Sequence, residues 1–221
     1  MILRKFCKML PGFAAFALLA CAALGSCGGS AFKFKNDGDT GNLIDEENGR
    51  YYIYCKGYLQ AAAINPALYA KGDRGEKLYK VDGLDPARWL SEDITGGIAF
   101  LFREESVEEP KFGEFETVKI VITMTEEISV AIGQIIDPET VDMIVSDYIE
   151  NKEAPYPEIV TDWFSFLFES EKHKGIYYVL QYLVDDKNNG FLFDRWTGRC
   201  VSCGYKMFGG TGIDWDLAGE F

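Results

Sequence analysis

Histidine is almost missing from this 221-residue chain, which contains His173 and no other. Any serine- or cysteine-based nucleophilic device that relies on an imidazole base would therefore have to use that one residue. The pattern Gly-x-Ser-x-Gly is absent, and the glycine-rich segment 209–212 is followed by neither a lysine nor a helix-forming stretch. These absences remove the commonest sequence signs of hydrolases and of phosphate-binding loops.

Basic residues are scarce relative to acidic ones, with 22 Lys and Arg against 35 Asp and Glu and a net charge of −13. A nucleic-acid partner is not expected, because phosphate backbones are neutralised by Lys and Arg. Electrostatic docking on anionic lipid is disfavoured for the same reason. Beyond residue 30 no run approaches eighteen apolar residues, so no transmembrane helix is expected.

The first thirty residues have the layout of an export signal. The N-terminal region is positively charged through Arg4, Lys5 and Lys8, and an apolar run follows at residues 13–20. Small residues then lead to Cys27. This order of charge, apolar run and small residues is typical of a cleaved signal peptide.

The segment Leu24-Gly25-Ser26-Cys27 resembles the lipobox of bacterial lipoproteins. The resemblance implies cleavage before Cys27 and its acylation with chains such as palmitate, so that the membrane is a partner through these chains. Two or more acyl chains hold a protein stably on a membrane. Leu18-Leu19-Ala20-Cys21 fits the same pattern, which leaves Cys21 as the alternative attachment site. The resemblance further implies a protein exported and anchored to the cell membrane, or to the outer membrane of a cell that has one.

The chain is predicted to have three parts. Residues 1–26 are the lipoprotein signal peptide, residues 27–49 a lipidated tether and loop, and residues 50–221 a single globular domain. Gly, Asn and Asp are dense between residues 36 and 49, which predicts turns, with one short strand allowed at 31–35.

The sequence of the globular part predicts an α+β fold, with an antiparallel sheet of about six or seven strands, one long helix at 138–152 and a C-terminal β-meander. Strand-like alternation occurs at residues 51–55, 97–103, 117–125, 128–136, 162–169, 176–184, 191–195 and 199–203. Asp137 caps the long helix and Pro138 presets its first turn. A shorter helix is predicted at 85–90, whereas residues 57–83 remain unassigned because Asn65-Pro66 interrupts the pattern.

Cys200-Val-Ser-Cys203 is the sharpest local motif. Two thiols at this spacing can form a redox-active disulfide, and Cys55 offers a third partner for a structural bond. Cys55, Cys200 and Cys203 with His173 could in principle hold zinc, but a second Cys-x-x-Cys is missing. Buried, reduced cysteines remain a further alternative. No cofactor and no metal is predicted.

Aromatic residues are plentiful, and several are spaced to share a strand face. A carbohydrate or peptide platform is one interpretation, and a half-buried sheet face is the other. The residues are Tyr51, Tyr52, Tyr54, Tyr58, Trp163, Tyr177, Tyr178, Tyr182 and Trp196.

No coherent catalytic set emerges, so an enzyme is the less favoured class. The sequence predicts an envelope lipoprotein with a non-enzymatic binding or structural domain, whose partner would be an envelope protein or a glycan. Two alternatives remain open. One is an envelope thiol oxidoreductase that uses Cys200 and Cys203, and the other is a carbohydrate-binding module that uses surface tyrosines.

Overall fold

A computed structural model describes residues 32–38, 40–94, 98–125, 129–203, 208–209 and 212–213. By their residue contacts, residues 1–32 and residues 33–221 form two units. Phe32 is the only described residue of the first unit, and all other described residues belong to the second. Strand accounts for 53% of the structure and helix for 10%. The protein is therefore mostly β.

The described residues form sixteen strands, one α-helix and one 3-10 helix. The helix α1 is Pro138–Glu150 and the 3-10 helix is Phe112–Glu114. The strands are β1 (Phe32–Asp37), β2 (Asn42–Asp45), β3 (Arg50–Tyr54), β4 (Leu59–Ala61), β5 (Ile64–Gly72), β6 (Lys77–Val81), β7 (Trp89–Ile94), β8 (Ile98–Glu104), β9 (Thr117–Thr125), β10 (Ser129–Ile135), β11 (Val160–Ser170), β12 (Ile176–Asp185), β13 (Gly190–Phe193), β14 (Cys200–Ser202), β15 (Phe208–Gly209) and β16 (Gly212–Ile213).

Seven strands close into a barrel in the order β8-β3-β2-β1-β5-β6-β7, and β7 pairs back with β8. Each of these strands contributes one buried side chain to the interior. Small barrels leave room inside only for side chains, and this one has a packed core. The seven side chains are Phe34, Leu43, Tyr52, Ala70, Leu78, Leu90 and Phe102.

Tyr52 closes one end of the barrel core. Its hydroxyl lies 3.1 Å from the carbonyl oxygen of Pro86 and 3.3 Å from that of Ala87, to which it can donate. Burial raises the pKa of Tyr52 to about 12, so the hydroxyl keeps its proton at neutral pH.

The same 14-stranded sheet continues beyond the barrel from β8 through β4, β12, β11 and β9 to β10, while β13 and β14 branch from β12. We call this part of it the second sheet. Helix α1 and the 3-10 helix pack on one face of it. The ring of Phe112 lies 4.9 Å from the rings of both Tyr148 on α1 and Phe168 on β11, and 5.0 Å from that of Tyr178 on β12. These edge-to-face contacts join helix, 3-10 helix and sheet in the larger core.

Strand β8 belongs to both halves of the structure. It pairs with β3 and β7 in the barrel and with β4 in the second sheet. Because successive side chains in a strand point to opposite faces, Leu101 enters the larger core while Phe102 enters the barrel core. Both are almost completely buried.

The predicted α+β class, with six or seven strands in one open sheet and a C-terminal β-meander, is wrong. The protein is mostly β and contains a closed seven-stranded barrel with one α-helix among its described residues. Residues 57–83, which the sequence left unassigned, form β4, β5 and β6. Pro66 is accommodated in β5 because the register with β6 shifts between Ile64 and Leu68, where a missing backbone donor is tolerated.

Two further strands, β1 and β2, lie within the range 27–49 that the sequence assigns to a tether. The density of Gly, Asn and Asp does mark turns there, at residues 38, 40, 41 and 46–49, but these turns connect barrel strands. Leu43 and Phe34 supply the apolar side chains that the barrel interior needs from this segment.

The short helix predicted at 85–90 is also wrong. Asp85 does cap a single turn, since its carboxylate accepts from the amide of Ala87 at 2.9 Å and its carbonyl accepts from Arg88 and Trp89 at 2.9 Å. The chain then becomes β7, because Trp89 packs into the larger core and Leu90 into the barrel core. Only extended backbone sends neighbouring side chains to opposite faces.

The long helix predicted at 138–152 is present and ends at Glu150. Asp137 is its N-cap, and the Asp137 carboxylate accepts from the amide of Thr140 at 2.9 Å. The Thr140 hydroxyl, which donates to the same carboxylate at 2.7 Å, and then the Thr140 amide lower the pKa of Asp137. Val141, Ile144 and Tyr148 are the buried residues of its inner face. Among the described residues, no helix has both the length and the apolar character needed to cross a membrane.

Strand β10 forms one end of the second sheet and pairs only with β9 in the described strand order. A bulge interrupts its register between Ala131 and Gly133. Val130, just before the bulge, is 54% exposed.

We predict that Glu92→Gln stabilises the protein at neutral pH. Glu92 follows Leu90 by two residues on β7 and thus shares its interior face. Burial, and then the neighbouring Glu76, raise the pKa of the Glu92 carboxyl above its ordinary value of 4.5. The folded state therefore disfavours the ionised carboxylate, and wild-type stability falls as the pH rises through the folded-state pKa.

Thermal melts between about pH 4 and pH 8 measure this effect. The gap in Tm between Glu92→Gln and wild type is expected to be largest at neutral pH and to shrink below 4.5, where both states are protonated. Glu47→Gln, at an exposed carboxylate, is the control. A gap that does not change with pH would contradict the prediction.

Candidate ligand-binding groove

Two adjoining cavities of about 280 and 330 Å³ lie on the face of the second sheet opposite to α1. Four residues, Trp163, Gln181, Phe193 and Arg195, line both of them. We call this surface the aromatic groove, and define it by Gln60, Phe100, Tyr156, Trp163, Ser165, Gln181, Phe193, Arg195 and Trp196.

The pleat of three paired strands explains why these side chains meet. Alternate residues of β11 and β12, such as Phe166 and Leu180, are buried in the larger core, which leaves the residues between them on the other face. Cross-strand pairing then sets these residues side by side. One row consists of Ser165, Gln181 and Phe193, and the next of Trp163, Leu183 and Phe191.

Trp196 lies on the turn between β13 and β14, and a buried carboxylate fixes that turn. Asp194 is only 1% exposed. Its Oδ1 accepts from the amide of Trp196 at 2.8 Å and from the amide of Thr197 at 3.2 Å. The Asp194 carbonyl also accepts from the amide of Gly198 at 2.9 Å. Trp196 is therefore held in place although 43% of it is exposed.

Gly57 allows the Trp196 ring to approach the backbone. A Cβ atom at position 57 would lie 2.6 Å from Cζ2 of Trp196 and 3.2 Å from Cε1 of Phe100. The φ of Gly57 is +73°, a region that other residues rarely adopt. The backbone of the turn after β3 thus packs against Trp196 and Phe100 and forms the base of this end of the groove.

The polar side-chain groups of the groove are the amides of Gln60 and Gln181, the hydroxyls of Ser165 and Tyr156, the N–H groups of the two indoles and the guanidinium of Arg195. Gln60 donates to the carbonyl of Gly57 at 3.3 Å, which orients its amide. Arg195 is exposed, and among the described residues no carboxylate lies within ion-pair distance of its guanidinium. The lining residues of the two cavities include no Asp, Glu, His or Cys among the described part of the chain.

A larger cavity of about 460 Å³ lies elsewhere, beside the turn between β11 and β12. Both of its lysines are already engaged, since Lys172 lies 2.9 Å from Glu116 and Lys174 lies 2.6 Å from Glu171, and its tryptophan, Trp89, is buried. The aromatic groove has half-exposed tryptophans and an unpaired cation, and it is the stronger candidate site.

The cysteines singled out in the sequence lie away from the groove lining. Cys55 and Cys200 are buried thiols, and Cys203 is half-buried just after β14. Burial raises the pKa of Cys55 to about 12 and that of Cys200 to about 11. Thiols with such pKa values stay protonated at neutral pH and are poor nucleophiles.

His173 lies in the turn between β11 and β12, and its ring stacks on that of Phe115 at 5.2 Å. Burial, and then Lys172, lower the pKa of His173. Across the described residues no three His, Cys, Asp or Glu side chains come together in a way that could hold a metal ion. His173 and the cysteines therefore do not assemble there into the four-ligand zinc site considered from the sequence.

The groove uses the tryptophans of the predicted aromatic platform and none of its tyrosines. Tyr52, Tyr178 and Tyr182 are buried in the two cores. Trp163 and Trp196, each 43% exposed, come together in one cavity although they are far apart in sequence. Sequence reasoning missed Gln60, Phe100, Tyr156, Gln181, Phe193 and Arg195.

A sequence signal for part of the groove did exist. Ser165, Leu167 and Trp163 alternate with the core phenylalanines of β11, and this alternation predicts which residues share the outer face. The register that places Gln181 between Ser165 and Phe193 depends on long-range pairing and has no local signal. Cys27 and Cys21, the predicted lipid attachment residues, lie outside the described residues.

Comparison of the chain with models of protein families, with curated protein sequences and with solved structures finds no match. The residues of the aromatic groove are therefore the basis for assigning a function.

We predict that Asp194→Ala lowers the free energy of unfolding by about 2 kcal/mol, because two amides lose their acceptor at a buried site. Asp194→Asn keeps an oxygen at Oδ1 and should lose clearly less. Urea unfolding of the two variants measures the difference. Equal losses would mean that the two hydrogen bonds to Trp196 and Thr197 do not hold the turn.

Proposed function

We propose that this protein is a non-enzymatic, lipid-anchored binding protein of the bacterial envelope whose aromatic groove binds a glycan. The observation that carries the proposal is the cavity in which Trp163 and Trp196, each 43% exposed, lie together with the amides of Gln60 and Gln181. Exposed indole rings forgo the free energy that burial of their apolar surface would provide. Neighbouring exposed indole rings that the fold holds in place are therefore typical of a binding surface.

Sugar rings match this chemistry. Their apolar C–H faces stack on indole rings, and their hydroxyls both donate and accept hydrogen bonds, as the amide groups of Gln60 and Gln181 do. Ser165 adds a hydroxyl between the aromatic residues. Small-molecule sites commonly combine an apolar lining with a few placed polar groups, which is the composition found here.

The absence of carboxylates from the described lining of the two cavities supports binding without glycoside hydrolysis. That reaction uses a pair of carboxylates, and the imidazole most often used for general acid–base catalysis is absent from this lining too. The described residues that line the two cavities provide neither a carboxylate nor an imidazole.

A β-strand peptide is a poor fit to the groove. Peptides that add to a sheet use a free strand edge, whereas this groove lies on the face of β11, β12 and β13, each paired on both sides. A proline-rich peptide could still lie on an aromatic face, and the binding experiment includes it as a competitor class.

The lipid anchor rests on the resemblance of residues 24–27 to a lipobox. It agrees with the acidic composition, since a protein that carries a net charge of −13 needs a hydrophobic anchor to stay on an anionic membrane surface.

We predict that Trp163→Ala and Trp196→Ala each weaken glycan binding by about tenfold to a hundredfold, as expected for losing a buried aromatic contact. A glycan array with the purified domain identifies the ligand, and isothermal titration calorimetry measures its affinity for each variant. Trp163→Phe and Trp196→Phe should retain part of the binding.

Val130→Ala is the matched control, because Val130 is an exposed apolar residue on β10 outside the groove. Its affinity should equal that of the wild type. Failure of every glycan to bind, or binding of proline-rich peptides alone, would overturn the proposal, as would turnover of a bound glycan.

We predict that the protein extracted from envelope membranes has the mass of an acylated chain that starts at Cys27. Intact mass spectrometry tests this, and Cys27→Ser should abolish acylation and release the protein from the membrane fraction. Cys21→Ser is the control that separates the two lipobox candidates. An unacylated wild-type mass, or acylation that persists in Cys27→Ser, would contradict the assignment.

A further inference from the structure

Among the described residues, Arg195 is the one charged residue that lines the two cavities of the aromatic groove, and it lines both. Two other arginines of the described chain are engaged, since Arg103 pairs with Glu109 at 3.2 Å and Arg199 donates to main-chain carbonyls at the end of α1. Arg88 is exposed and, like Arg195, has no carboxylate partner among the described residues, but it lies outside the groove. What distinguishes Arg195 is that its guanidinium is free of an ion pair and also lines both cavities.

The fold holds Arg195 between two fixed points. Its neighbour Asp194 is buried and binds the amides of the turn, and its other neighbour Trp196 packs on Gly57. The backbone that carries the guanidinium is therefore fixed, while the side chain extends into the space shared by the two cavities. Fixing the backbone lowers the conformational entropy that a ligand would have to remove.

A guanidinium presents a planar fork of donors that matches the two oxygens of a carboxylate or a sulfate. A glycan without charge would offer Arg195 only neutral hydroxyl oxygens, whereas a carboxylate or a sulfate would make the stronger, charge-assisted hydrogen bonds. Building on the proposed function, we propose that the groove selects an acidic saccharide and that Arg195 receives its carboxylate or sulfate group.

The cavity next to Tyr156 gives the ligand a direction. A cavity of about 340 Å³ shares Tyr156 with the groove and is lined by Glu158, Asp185 and Asp186. These carboxylates repel an anionic group, and Lys187 is the one cation in that lining. The charged sugar unit therefore lies at Arg195, and the units toward Tyr156 are neutral.

Three oligosaccharides of matched length test the proposal by titration calorimetry against the full-length protein. Hyaluronan hexasaccharide carries carboxylates, keratan sulfate hexasaccharide carries sulfates without uronic acid, and chitohexaose is neutral. At least one of the acidic glycans is expected to bind about tenfold more tightly than chitohexaose, as expected for a hydrogen bond to a charged group. The tighter of the two identifies the anionic group.

Arg195→Gln is expected to remove this preference, so that the acidic glycans bind this variant no more tightly than chitohexaose binds it. Arg195→Lys keeps the positive charge but lacks the planar pair of donors, and it should retain part of the preference. Arg88→Gln is the matched control, because Arg88 is an exposed arginine outside the groove. It makes the same change in net charge and should preserve the preference.

The two proposals fail in different ways. If chitohexaose binds and loses affinity in Trp163→Ala, but neither acidic glycan binds better, glycan binding stands and the selection of an acidic saccharide is wrong. The same conclusion follows if the preference persists in Arg195→Gln. If none of the three glycans binds and no other glycan does, the proposed function itself is wrong.

Discussion

The pairing of β8 with three strands is the constraint on which the rest of the structure depends. Strand β8 closes the barrel against β3 and β7 and also starts the second sheet at β4. Its side chains must therefore alternate between the barrel core and the larger core. Leu101 and Phe102 do so. Phe100, on the same strand face as Phe102, contacts Tyr54 at the barrel and lines the aromatic groove. The interior face of the barrel thus continues as the groove face of the sheet.

The turn between β13 and β14 connects the groove to the opposite face. Asp194 and Gly57 set Trp196 on the groove side. On the other side, Arg199 donates to the carbonyls of Tyr148 at 2.9 Å and of Asn151 at 3.2 Å, where a cation complements the helix dipole. One short segment therefore anchors the end of α1 and positions a groove tryptophan, so the helix supports the site without touching it.

The sequence predicted the features that have a local cause. Asp137 and Pro138 marked the start of α1, and strict alternation marked β9, β11 and β12. The barrel was missed because its strands carry contrary local signals, such as Pro66 at a bulge and the Asp85 turn before β7. In the groove, Trp163 and Trp196 could be predicted from the sequence as aromatic residues. Gln181 could not, because its position depends on the pairing register of β11, β12 and β13. Arg195 could not either, because its position depends on the buried hydrogen bonds of Asp194.

The bulge in β10 has a consequence for how the molecule behaves at high concentration. A closed barrel has no strand edges, but the second sheet ends at β10, where exposed Val130 would favour pairing with a strand of another chain. Such pairing requires a regular ladder of donors and acceptors over several residues. The extra residue between Ala131 and Gly133 breaks that ladder and twists the strand. Among the described strands, β10 is thus protected from edge-to-edge pairing by the shape of its backbone rather than by charged side chains, of which it has none.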